Sequence, residues 1–147
     1  VFEAISTAKV ATSAMEARDM LILRETDGIT MNRRRLLADA KAKALELAKD
    51  YQPPKPVEIN LPGPSAKAAM SLAVEGFHLQ GRATKHDVVV SMALANVVSG
   101  GNTDITEVVT EKKLLELERE NFMSLIKTNA TLDRIEHMLT TGKPLRN

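Results

Sequence analysis

No cysteine occurs among the 147 residues, which excludes disulfides and Cys-ligated metal centres. Aromatic residues make up only 3%, with no Trp, one Tyr and three Phe, so the chain has little with which to stack nucleic-acid bases. Its core must be filled by Leu, Val, Ala, Ile and seven Met, a mixture suited to packed helices. Neither sign of charge prevails: 20 Lys and Arg against 19 Asp and Glu leave +1, which argues against nucleic acid or an anionic membrane being held through overall charge. No apolar run approaches the ~18 residues that a membrane span requires, and no charged-then-apolar leader pattern stands at the start. The expectations are a reducing, cytoplasmic setting, no membrane span and no nucleic-acid partner.

What is present is helix. From Thr84 to Gly101 apolar side chains fall on nearly every side of a helix rather than on one stripe, the pattern of a buried one. Thr84 can cap its start, Asp87 suits the first turn, and Gly100 supplies a left-handed stop. The β-branched Val88, Val89 and Val90 would also suit a strand. The length of the run, its two end signals and the continuation through Met92, Ala93 and Leu94 favour helix.

Ahead of this stretch, Phe2, Ile5 and Ala8 recur at helical steps as far as Val10. Thr12-Ser13 stops that helix and caps a short one from Ala14 to Met20, with Glu16 in capping-box position. Asp27-Gly28 reads as a turn, and Asn32 can cap a helix running to about Asp50. There Leu36, Leu37, Ala40, Ala44, Leu47 and Ala48 form one apolar face. Pro53, Pro54, Pro56, Pro62 and Pro64 then make a connector in which Val57 to Leu61 alternates as an extended strand would. One short extended piece has no evident partner, so no sheet is expected.

Ala66, Ala69, Met70, Ala73, Val74 and Phe77 match an amphipathic helix without a miss, and the short turn Gln80 to Ala83 makes it an antiparallel hairpin with the next helix. Beyond Asn102-Thr103-Asp104, a helix capped by Thr110 carries Leu114, Leu115, Leu117, Phe122, Leu125 and Ile126. A final one carries Leu132, Ile135, Met138 and Leu139 and ends at Gly142-Lys143-Pro144. The fold class is therefore all-α, a small domain of about six to seven helices. Residues 1–51 form a helical tail, residues 52–64 a Pro-rich connector and residues 65–147 a C-terminal bundle.

Candidate chemistry is sparse. His78, His86 and His137 lie in different helices with no ligand spacing, and Asp133, Glu136 and His137 are neighbours that do not all face one another, so neither a metal site nor a catalytic residue is expected. Arg33, Arg34 and Arg35 form the one basic cluster, at a helix start. It can serve as an anion or partner contact aided by helix amides, or as a solvated face with Arg35 turned to local carboxylates. Gly100-Gly101-Asn102 follows a helix and lacks the Lys-Ser/Thr of a phosphate loop, so it reads as a C-cap; Lys85, Lys112 and Lys113 read as surface charges.

Ala8-Lys9-Val10-Ala11-Thr12-Ser13-Ala14-Met15-Glu16-Ala17-Arg18 resembles a recurrent segment of crotonase-type enzymes. Asp27 to Arg33, Leu36 to Lys41, Leu61-Pro62-Gly63-Pro64 and the ending from Ile135 to Asn147 look like the C-terminal portion of bacterial 3-hydroxyacyl-CoA dehydrogenases that carry a crotonase-like module. One departure is Met20-Leu21-Ile22, where such proteins have a Gly-Leu/Ile pair after the short helix.

The resemblance implies that residues 1–51 are the tail of that module and that the whole is a fragment of a longer fatty-acid β-oxidation enzyme. NAD and acyl-CoA would then belong to the parent, with no cofactor in the fragment itself. Partners would be the remainder of the parent chain and, through an apolar patch left by helices up to Met20, a second copy in a homo-oligomer. The rivals are a free-standing helical adaptor and, more weakly, a nucleic-acid-binding bundle using Arg33 to Arg35.

Overall fold

The computed structural model describes all residues from Val1 to Asn147. The helices are α1 (Phe2–Ser6), α2 (Ala14–Asp19), α3 (Leu36–Leu47, entered through a 3-10 turn at Arg33–Arg35), α4 (Pro64–Leu79), α5 (Lys85–Val98), α6 (Glu111–Leu125) and α7 (Asn129–Thr141). They make a small all-α fold. The chain forms two compact units, one of Ala8–Lys55 and one of Val1–Thr7 with Pro56–Asn147.

The expectation of no sheet is corrected. Strands β1 (Ile59–Asn60) and β2 (Val108–Val109) pair antiparallel, Ile59 opposite Val109, and Asn60 Nδ2 donates to the Glu107 carbonyl at 3.0 Å. The partner of the extended piece lies beyond α5, so no hairpin signal could announce it.

In the larger unit α5 is the helix that the others pack on, touching α1, α4 and α6. Its start has the expected Thr84 cap, and Asp87 adds the return bond of a capping box: Thr84 Oγ1 accepts from Asp87 N–H, and the Asp87 carboxylate accepts from Thr84 N–H at 2.8 Å. At its end Gly101 N–H reaches Asn96 O and Gly100 N–H reaches Val97 O, with both glycines left-handed. The helix is less enclosed than its apolar sequence implies. Ala95 is fully buried, but most of its other apolar residues are half-buried and Val89 is exposed, because a bundle this small cannot surround its central helix.

Helix α4 runs antiparallel to α5. Lys67 near the start of α4 donates to Asn96 near the end of α5 at 2.8 Å, and Gly63 N–H donates to Ser99 O at 2.9 Å. Met70, Val74 and Phe77 turn inward; Ala69 and Ala73, expected on that face, stay exposed. In α6 the inward positions are Leu114, Leu117 and Leu125, while Leu115 and Phe122 remain open.

Helix α7 reverses the expectation. Its covered positions are Ala130, Thr131, Arg134 and His137, whereas Leu132, Ile135, Met138 and Leu139 are exposed. Polar ties hold its inner side, so the apolar stripe is left outward.

In the smaller unit, Ser13 caps α2 by accepting from Glu16 N–H, while the Glu16 carboxylate reaches back to Thr12 N–H at 2.8 Å and to the Thr12 hydroxyl at 2.7 Å. Those Thr12 bonds hold the Glu16 carboxyl below its usual range. Leu21 takes φ +59° and closes α2, its N–H on Arg18 O and that of Ile22 on Ala17 O. Arg18 pins the following loop by donating to the carbonyls of Glu25 and Asp27. The first helix also ends earlier than its periodicity suggests, at Ser6, with Ala8 at φ +49°.

Candidate functional site

A cleft of about 550 Å³ lies in the larger unit, between α1, α4 and α5. Val74, Phe77 and Phe2 give it an apolar floor, and Arg82, Asp87 and Arg146 stand at its charged end. The Arg82 guanidinium lies over the Phe77 ring, 4.8 Å from its centre, so the cation covers an aromatic wall.

Asp87 is the hub of that end. Its carboxylate meets Arg134 of α7 at 2.9 Å and Arg146 at 3.7 Å, in addition to Thr84 N–H. Burial works to raise its pKa, but the hydrogen bonds from Thr84 and the Arg134 guanidinium prevail and hold it below the usual carboxyl value. Arg134 also donates to Thr84 Oγ1, and its Nε donates to Asn147 Oδ1 at 2.7 Å. Arg146 donates to the Arg82 carbonyl at 2.6 Å, and Asn147 Nδ2 to Ala130 O. The segment Lys143–Asn147 is thereby folded back over the start of α5.

Beside Asp87, His86 is buried with Nε2 2.8 Å from Thr131 Oγ1. Desolvation first, and then the Arg134 charge, push its pKa below the ordinary histidine value, against a smaller pull from Asp87. An imidazole so placed favours its neutral form and shares a hydrogen bond with a threonine hydroxyl. His78 is likewise engaged, Nδ1 on the Ala83 carbonyl at 2.8 Å, and no group of three or more His, Asp or Glu side chains stands together.

The Arg33–Arg35 cluster belongs to the smaller unit. Asn32 caps it by accepting from Arg34 N–H, Arg35 lies 3.2 Å from Asp39, and Arg33 and Arg34 are exposed. Gly100 and Gly101 do not fit a dinucleotide cradle. They close a helix rather than open one, and a Cβ on Gly100 would press on Leu61 and Thr103, one on Gly101 on Leu117.

In the sequence Asp87 stands out only as a first-turn charge suited to the helix dipole, and nothing points to Arg134 or Arg146. Asp87 and Arg134 stand in separate helices joined through two loops and α6, so no local spacing could have paired them.

No protein-family model and no solved structure matches the chain. It is similar to a probable 3-hydroxyacyl-CoA dehydrogenase of Bacillus subtilis (strain 168), with 44% identity over 147 residues that take in 99% of this chain and 19% of the Bacillus protein. The chain thus spans about a fifth of the length of the curated relative it matches.

Proposed function

We propose that these residues are part of a longer oxidoreductase of the 3-hydroxyacyl-CoA dehydrogenase kind, in which they cover and dock rather than perform the chemistry. The observation that carries this reading is the likeness, along nearly the whole chain, to a stretch amounting to 19% of such a protein. Open apolar helix faces support the docking role: Leu36, Leu37 and Leu47 on α3, and Leu132, Ile135, Met138 and Leu139 on α7. Contiguous apolar surface of that kind commonly marks a contact with more protein.

On this reading the longer enzyme oxidises 3-hydroxyacyl-CoA to 3-oxoacyl-CoA in fatty-acid β-oxidation in the cytoplasm, and a crotonase-like module would add hydration of enoyl-CoA. The hydride acceptor is NAD. Because the Gly100-Gly101 turn does not suit a dinucleotide, NAD would be held by residues outside this chain, and acyl-CoA chiefly so. The open faces would be covered by the remainder of that polypeptide and by a second copy in a homo-oligomer.

The test is reduction of acetoacetyl-CoA by NADH, followed for the 147-residue chain and for the longer polypeptide that contains it. Turnover is expected from the longer polypeptide alone. Turnover by the short chain would end the covering role, and an inert long polypeptide would end the dehydrogenase reading. The same open faces would suit a free-standing interaction domain, and a natural reading frame beginning at or near Val1 would turn the choice to it.

A further inference from the structure

Helix α7 is fastened to the larger unit in an unusual way. Its inward residues are polar apart from Ala130, and the ties are made by two consecutive residues in the first turn of α5: His86 to Thr131 at 2.8 Å and Asp87 to Arg134 at 2.9 Å. Thr131 and Arg134 are three residues apart, so they stand one above the other on the same face of α7. The hydroxyl chain continues, for Thr131 Oγ1 lies 3.0 Å from Thr128 Oγ1, which donates to Leu125 O at the end of α6. Arg134 further gathers Asn147, and Arg146 returns to Asp87 and to the Arg82 carbonyl. The apolar residues of α7 take no large part in this seam.

We propose that His86 and Asp87 form an acid-sensitive latch that holds α7 and the segment Lys143–Asn147 on the bundle, and that α7 lets go when His86 takes up a proton. Protonated His86 would be a buried cation with Arg134 close by. The charges acting on it are Arg134 from α7, which repels, and Asp87 from α5, which attracts but is already shared by Arg134 and Arg146. Lys85 and Asp133 neighbour the seam on α5 and α7 and are exposed, and His78 at the end of α4 is committed to Ala83 O. The carboxylate that faces the seam, Asp87, is therefore already engaged when a second cation appears, and the seam has little apolar contact to keep it shut. Release would also remove Arg146 from the charged end of the cleft and uncover Asp87.

The absence of cysteine makes the test direct. Spin labels on Leu79→Cys and Leu139→Cys, both at exposed positions on α4 and α7, report the distance between the helices. A narrow distance distribution is expected at about pH 7.5 and its loss at about pH 5, the range in which a histidine changes charge. His86→Gln, which can still bond Thr131 but cannot titrate in that range, should keep the narrow distribution at both values. Asp87→Asn should lose it at both. An unchanged distribution at the lower value in the labelled chain that keeps His86 and Asp87, acid release as complete in His86→Gln as in that chain, or a fully latched Asp87→Asn would each overturn the proposal. Should Asp87→Asn fail to fold by circular dichroism, the His86→Gln comparison decides alone.

Discussion

Helices α4 and α7 are both amphipathic in sequence, yet they turn opposite faces to the same neighbour, α5. Helix α4 presents Met70, Val74 and Phe77 to it, whereas α7 presents Thr131 and Arg134 and leaves Leu132, Ile135 and Met138 outward. The difference lies in what α5 offers along its length. Its middle is Val, Met, Ala and Leu, which reward apolar burial, while its first turn is His86 and Asp87, which must be hydrogen-bonded when covered. An apolar stripe is a demand for a partner, and it does not say that the partner lies within the same chain.

The comparison is broken most severely on the α4 side. Val74 is 4% exposed, so Val74→Asp buries an unpaired carboxylate and should cost about 3 kcal/mol or more of urea-unfolding stability. On the α7 side Arg134→Met removes a partly buried charge pair and leaves Asp87 with the weaker Arg146, and about 1–2 kcal/mol should be lost. The same two residues set the response to acid. His86 has its pKa depressed in the folded state, so its contribution is complete above the ordinary value of 6.5 and fades as the pH falls below it. Asp87, also depressed, gives a contribution that is complete above 3.8 and fades below that. A urea midpoint followed from pH 8 downward, on the alkaline side of histidine titration, should therefore fall in two steps, and His86→Gln should remove the upper one.

A smaller effect sharpens the contrast. Leu132→Glu on the outward stripe of α7 should change the stability of the isolated chain by only about 0.5–1 kcal/mol, against the several that an inward leucine would cost. The same substitution should impair docking onto the remainder of the longer polypeptide when the two parts are expressed separately, which their co-purification would read. The smallest effect concerns helix ends. Helices α4 and α5 close on left-handed Gly81 and Gly100, but α2 closes on Leu21, which is 90% exposed and so has little packing to lose. Leu21→Gly should relieve the strain and raise the stability of the smaller unit by about 0.5 kcal/mol, net of the freedom that glycine adds to the unfolded chain.

Local signals were legible in the chain. Thr84 with Asp87, Ser13, Thr110 and Gly142 each mark the helix end that the structure has, and the α4–α5 hairpin follows from one periodic stripe and a short turn. What escaped depends on pairs distant in sequence. Strand β1 needed β2, Asp87 needed Arg134, and the inward side of α7 depended on the chemistry of another helix's first turn. Helix α3 stands apart: its stripe is evident from Leu36, Leu37, Ala40, Ala44 and Leu47, and nothing in its own unit covers it. The Arg33–Arg35 cluster of the smaller unit is contiguous and therefore visible in the sequence, while the cleft of the larger unit, with Arg82, Asp87 and Arg146, is not.

At the far end of the α4–α5 hairpin from its turn, Gly63 donates to Ser99 O, and its backbone passes so near the Thr103 carbonyl that a Cβ there would overlap it. This clasp binds the two helices where the chain does not. A protease cut in the turn from Gln80 to Ala83 should therefore leave the halves associated through gel filtration, whereas the same cut in a Gly63→Ala chain should let them drift apart.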